Sequence, residues 1–191
     1  MTVPAWVEVQ LAVGGALKLA RGDASGLGCF DTSVDGFWRS FRAAVISYPF
    51  FLILLAFRVS AAHWAESGVM RIAIVETIGY AVTWLAFPVA MVSITCWLGR
   101  DTRFFGFVTV YNWCQLPEMV LFVLIALEAQ SGLLPKPASQ FLEVVAAVAV
   151  LVYEWYIARV ALETSMPAAA GVVLVSLVLG LLISQVTEFL Y

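Results

Sequence analysis

Charge is what this sequence has least of. Only 12% of its 191 residues are Asp, Glu, Lys or Arg and 63% are hydrophobic, where a soluble domain carries about 25% charged residues. So little polar surface excludes a water-soluble fold of this length and leaves an integral membrane protein. Histidine is almost missing, and His63 alone excludes a bis-histidine haem or a zinc centre built on several imidazoles. Cys29, Cys96 and Cys114 form no Cys-x-x-Cys pair, so they read as small structural residues. The net charge of -3 comes with no basic block, which argues against a nucleic-acid partner. A glycine-rich phosphate loop, a Gly-x-Ser-x-Gly elbow and a His/Cys ligand cluster are all lacking. No catalytic residue, cofactor or metal is therefore expected, and the chain reads as non-enzymatic. The first seventeen residues hold Glu8, no Lys or Arg, and no small-residue cleavage site after an apolar run. A retained N-terminus is expected.

What is present is length in apolar runs. Five stretches, at about 41–60, 72–98, 104–128, 141–161 and 167–189, are long enough to cross a hydrocarbon core of roughly 30 Å as helices. The expected fold is all-α: a polytopic bundle of about five transmembrane helices over residues 37–191, preceded by an N-terminal segment, 1–36, with an amphipathic helix. In that segment Trp6, Val9, Val13, Ala16, Leu17 and Ala20 recur at helical spacing, with Glu8, Gln10 and Lys18 largely off the stripe. The helix either lies on the bilayer surface or packs on the rest of the domain. Asp31, Thr32, Ser33 and Asp35 are N-cap candidates for a helix opening at Gly36. Phe37 and Trp38 with Arg39 and Arg42 suit the membrane interface.

The third span organises the rest, because its centre, Tyr111 to Glu118, is polar and broken by Pro117. Proline frees a carbonyl one turn earlier, and in lipid that group and its polar neighbours must be answered by other helices. At about 100° per residue, Tyr111, Gln115 and Glu118 share one face, and Asn112 points to a second. On the second span Glu76, Tyr80 and Thr83 follow at i, i+4 and i+7, a stripe too costly to face lipid. Glu143 lies in the fourth span with Glu154 three turns on. The candidate polar core is accordingly Glu76, Tyr80, Tyr111, Asn112, Gln115, Glu118 and Glu143. Glu154, near Tyr153, Trp155, Tyr156 and Arg159, reads as an interfacial residue in an aromatic belt. Ser176, Gly180 and Ser184 repeat at i+4 and form a candidate helix-packing face.

Five spans in this order, Asp35-Gly36-Phe37-Trp38 before the first span, and Val110-Tyr111-Asn112-Trp113-Cys114-Gln115-Leu116-Pro117 in the third give the chain a resemblance to the Yip/Yif family of small membrane proteins. The first motif resembles part of the family's Asp-Leu-Tyr-Gly-Pro-Phe-Trp stretch. The second keeps the Tyr, an aromatic, the Cys and the Pro of Gly-Tyr-Gly-Tyr-Cys/Ser-Leu-x-Pro, without its glycines. The resemblance implies a cytoplasmic N-terminal segment and a scaffolding or membrane-organising role; the Rab GTPase partners of eukaryotic members are not carried over. The intramembrane carboxylates support an alternative, a small proton- or cation-coupled transporter or channel-like protein. The lipid bilayer is the expected partner, together with a second copy or other membrane proteins.

Lys18, Arg21, Arg39, Arg42, Arg100, Arg103 and Arg159 fall on one side of the spans, and Arg58, Arg71 and Lys136 on the other. The positive-inside rule puts the N-terminus in the cytoplasm and the C-terminus outside; with the resemblance to an uncharacterised bacterial branch of the family, a bacterial inner membrane is the expected location. Reporter fusions are expected to be active outside the cytoplasm after Tyr191 and inside it within Gly99 to Arg103. Both fusions reporting one side would break the five-span count.

Overall fold

The computed structural model describes residues 5–191. Residues 1–4, the start of the expected N-terminal segment, lie outside the described residues. Every regular element among the described residues is helical. Five stretches are long and apolar enough to span a membrane: 34–58, 69–97, 101–131, 136–161 and 166–189. Each matches an expected span to within three residues at both ends, except that the first begins seven residues earlier and the fourth five.

Helix α1 (Ala5–Ala20) precedes a 3-10 turn at Ala24–Cys29 and the short α2 (Val34–Ser40). The Ser33 hydroxyl caps α2 by accepting from Gly36 N at 3.1 Å, one of the capping options read from the sequence. The spans proper are α3 (Arg42–Arg58), α5 (Val69–Trp97), α6 (Phe104–Ser131), α7 (Lys136–Ala161) and α8 (Met166–Phe189), with α4 (Ala61–Ser67) in the connector before α5. Pro49, Pro88 and Pro117 all sit inside continuous helices. Gly132 ends α6 in the left-handed conformation, φ 67°, which its missing Cβ makes inexpensive.

Helix α6 is the axis. It packs against α1, α2, α3, α5 and α7, and 39% of its apolar window is buried, compared with 11% for α8. Phe107, Val108, Val110, Trp113 and Cys114 are almost wholly enclosed, together with Ile157, Ala158 and Leu162 at the far end of α7. In lipid such contacts gain little from the hydrophobic effect, so close packing and hydrogen bonds hold the helices together.

The N-terminal helix packs on the domain. Ala12, Ala16 and Leu19 are buried against the core, and the gap is narrow: a Cβ on Gly15 would meet Cys29, Phe30 and the Gly26 carbonyl within 2.9 Å. The Gly14-Gly15 pair that weakens a helix reading is thus half explained by backbone approach. Glu8 of α1 accepts from Arg39 Nε and from Arg42 Nη1, each at 3.0 Å, and Arg39 also pairs with Asp31. Two cations expected to snorkel are therefore tied to protein. The supposed aromatic belt behaves likewise: the Tyr153 hydroxyl donates to Ala16 O at 2.8 Å and Tyr156 to Gly22 O at 2.6 Å. At the other end of the bundle the chain terminus is tied down, with Ser67 donating to Tyr191 O and Arg71 to Leu190 O.

Helices α5 and α8 touch most closely where Gly79 meets Thr187. A Cβ on Gly79 would clash with Thr187 Cγ2, whereas one on Gly180 would find nothing within 4 Å. Gly79→Leu is therefore expected to destabilise the protein by about 1–3 kcal/mol through overpacking, and adding Thr187→Ala should recover part of the loss. Gly180→Ala should leave the thermal midpoint in detergent unchanged. Equal effects at the two glycines would contradict this placement of α5 against α8.

Candidate functional site

The polar residues of the spans gather around one cavity of about 300 Å³, bounded mainly by α5, α6 and α8 with contributions from α3 and α7. Along α8 its lining runs from Ser176 to Thr187, eleven residues or about 16 Å of helix rise. It is an elongated space inside the membrane region, with a distinct polar cluster at each end.

One cluster stands where α3 ends and α5 begins. The Arg58 guanidinium contacts buried Glu76 at 2.5 Å and Ser184 Oγ at 3.4 Å, and approaches Glu188 at 4.0 Å. The Tyr191 hydroxyl donates to the same Glu76 Oε1 at 2.8 Å. Burial and the Glu76 carboxylate push that hydroxyl up to about 12, so it stays a donor throughout the physiological range. Glu76 is 3% exposed, and a buried carboxylate of this kind is tolerated because a guanidinium and a phenol both face it.

The second cluster joins three helices. The Tyr111 hydroxyl of α6 donates to Glu154 Oε1 of α7 at 2.9 Å and lies 2.7 Å from Ser176 Oγ of α8, which then supplies its own proton to the phenol oxygen. Beneath it Phe87 of α5 stacks on Tyr111 with ring centroids 4.1 Å apart. Asn112 faces α2, donating to Ser40 Oγ at 2.9 Å while Ser40 donates to Phe37 O. This is the second protein-facing side of the helix that its position 100° away implied.

The candidate polar core divides accordingly. Glu76, Tyr80, Tyr111, Asn112 and Gln115 all line the cavity, and Tyr80 donates to Ala44 O at 2.6 Å. Glu118 does not line it. It is 5% exposed, and its Oε1 is buried without a partner. Glu143 must be removed from the polar core: it is an exposed residue in the early turns of α7, bordering an apolar groove lined by residues such as Leu54, Phe122 and Ile125. Ser176, Gly180 and Ser184 border the cavity: Ser176 and Ser184 reach neighbouring helices through hydrogen bonds to Tyr111 and Arg58, whereas Gly180 does not close onto one. Small residues at i+4 leave room, and here the room is left empty of protein.

Three participants escape a reading of the sequence. Arg58 looks like the end of a span, yet it pairs across to α5 and α8. Glu154 looks interfacial, yet it is 8% exposed; it lies seven residues from the end of α7, about 10 Å inside, and that depth was the available signal. Ser40 carries no pattern that would have found it. Among the described residues no three His, Cys, Asp or Glu side chains converge as a metal ion would require. No family model, curated protein or solved structure matches the chain.

The two inner acids should respond differently to removal. Glu154→Leu leaves the buried Tyr111 hydroxyl without its acceptor and is expected to cost about 1–3 kcal/mol. Glu118→Leu removes a buried oxygen that has no partner and should leave stability unchanged or raise it by about 1 kcal/mol. Thermal unfolding of both variants in one detergent checks this. A larger loss at Glu118 than at Glu154 would refute the assignment.

Proposed function

We propose that this protein is a non-enzymatic integral membrane protein that takes a small solute into its bundle, as a transporter or channel-like protein of the plasma membrane of a bacterium. The observation that carries this reading is the elongated, mainly apolar cavity with a polar cluster at each end, Arg58–Glu76 and Tyr111–Glu154–Ser176. A bundle held together only for structure has reason to satisfy its polar groups and exclude space. Ligand sites, by contrast, are concave, partly apolar and fitted with a few placed polar groups. With the N-terminus in the cytoplasm, the half-exposed Arg58 end of the cavity faces outward.

A membrane-organising scaffold is the second reading, in line with the Yip/Yif resemblance. It draws on α8, whose outward face from Leu174 through Leu181 and Leu182 to Val186 is exposed and offers an apolar surface to a second copy or another membrane protein.

Accessibility of the cavity to water-soluble reagents separates the two. In a chain whose three native cysteines are replaced, Ser184→Cys and Gly180→Cys are expected to react with a membrane-impermeant methanethiosulfonate added from outside, and Leu181→Cys is not. No reaction at positions 184 and 180, with the fold intact, would favour the scaffold.

A further inference from the structure

We propose that the cavity selects a small organic cation, an ammonium group carried on an aromatic or short aliphatic body. The proposal rests on reading the cavity as a solute site and names the class of solute.

Charge comes first. The lining holds one basic residue, Arg58, against two acidic ones, Glu76 and Glu154. Arg58 is already taken, because Glu76 meets it at 2.5 Å and Glu188 approaches it from the rim. Glu154 has no cation of its own: its bonded partner is the Tyr111 hydroxyl, and the neighbour beyond is the Ser176 hydroxyl. Glu118, three residues beyond the lining residue Gln115 on α6, is a further buried carboxyl group without a cation. The deep end of the cavity therefore lacks a positive charge, and an entering ammonium ion would supply it. An anion would meet carboxyl groups with no free guanidinium to offset them.

The walls agree with the charge. Phe51, Tyr80 and Trp84 form a chain of aromatic contacts along one side, with centroids 4.6 Å apart for Phe51 and Tyr80 and 6.0 Å apart for Tyr80 and Trp84. Phe87 and Tyr111 stack near the floor. Aromatic faces attract cations, Trp and Tyr most strongly, and the attraction grows when water is excluded. A volume of about 300 Å³ stands at the small end of ligand sites. This suits an amine of modest size and excludes a phospholipid as the occupant.

The test uses the purified full chain in lipid nanodiscs, titrated calorimetrically with benzyltrimethylammonium and with benzyl alcohol as the neutral comparison, against protein-free nanodiscs. The cation should bind at least about tenfold more tightly than the alcohol. Glu154→Gln keeps an acceptor for Tyr111 and removes the carboxylate, so it should weaken the cation about tenfold and leave the alcohol unchanged. Gly180→Leu, which fills the cavity, should abolish both. Equal affinities for the two probes, or a cation affinity untouched by Glu154→Gln, would overturn the cation proposal while the solute cavity stands. Binding of neither probe to the parent chain, or binding unaffected by Gly180→Leu, would overturn the solute reading and this inference with it.

Discussion

The hydrogen bond from Tyr111 to Glu154 is the contact on which this bundle turns. It joins α6 to α7, and through Ser176 it brings in α8, so three spans meet at one hydroxyl. In a bilayer the lipid tails offer these groups no hydrogen bond, and helices that lack hydrophobic pressure toward one another depend on such bonds and on close packing. The axis helix carries its polar residues in a short run because each serves a different neighbour: Tyr111 serves α7 and α8, and Asn112 serves α2.

The same arrangement explains why a cavity exists. Helices α5 and α8 converge at Gly79 and Thr187, and α6, α7 and α8 converge at Tyr111. Between these two points Gly180 of α8 has no side chain to reach across, and the space is framed by Tyr80, Trp84 and Gln115. Arg58 and Glu76 close one end by charge pairing, with Tyr191 fixing the acid from the chain terminus. A half-exposed Arg paired with a buried acid is a bond that an incoming charge can compete for, so this end combines stability with the capacity to rearrange.

Much of the fold was legible. Apolar runs of twenty residues leave few alternatives in a chain so poor in charge, and Pro117 beside Asn112, Gln115 and Glu118 marked α6 as enclosed. The site was legible only in part. Glu76, Tyr80, Tyr111, Asn112 and Gln115 were found by their helical phase, which fixes the face a residue occupies. Phase does not say what stands opposite, and for that reason Glu118 was given partners it lacks, Glu143 was drawn into a core it does not reach, and Gly180 was placed against a helix. An i+4 row of small residues is the same pattern whether it closes an interface or lines a void. The apolar stripe of α1 fitted a membrane surface and a protein surface equally well, and the choice was decided by Glu8, whose partners Arg39 and Arg42 lie some thirty residues away. Long-range pairing of this kind leaves no local trace.

The most direct measurement is the coupling energy between Tyr111 and Glu154, obtained from a double-mutant cycle with Tyr111→Phe and Glu154→Leu in reversible unfolding from mixed micelles. The structure predicts a favourable coupling of about 1 kcal/mol, with the double variant less destabilised than the sum of the single ones. Strict additivity of the two substitutions would contradict the account, because it would mean that α6 and α7 do not meet at this bond.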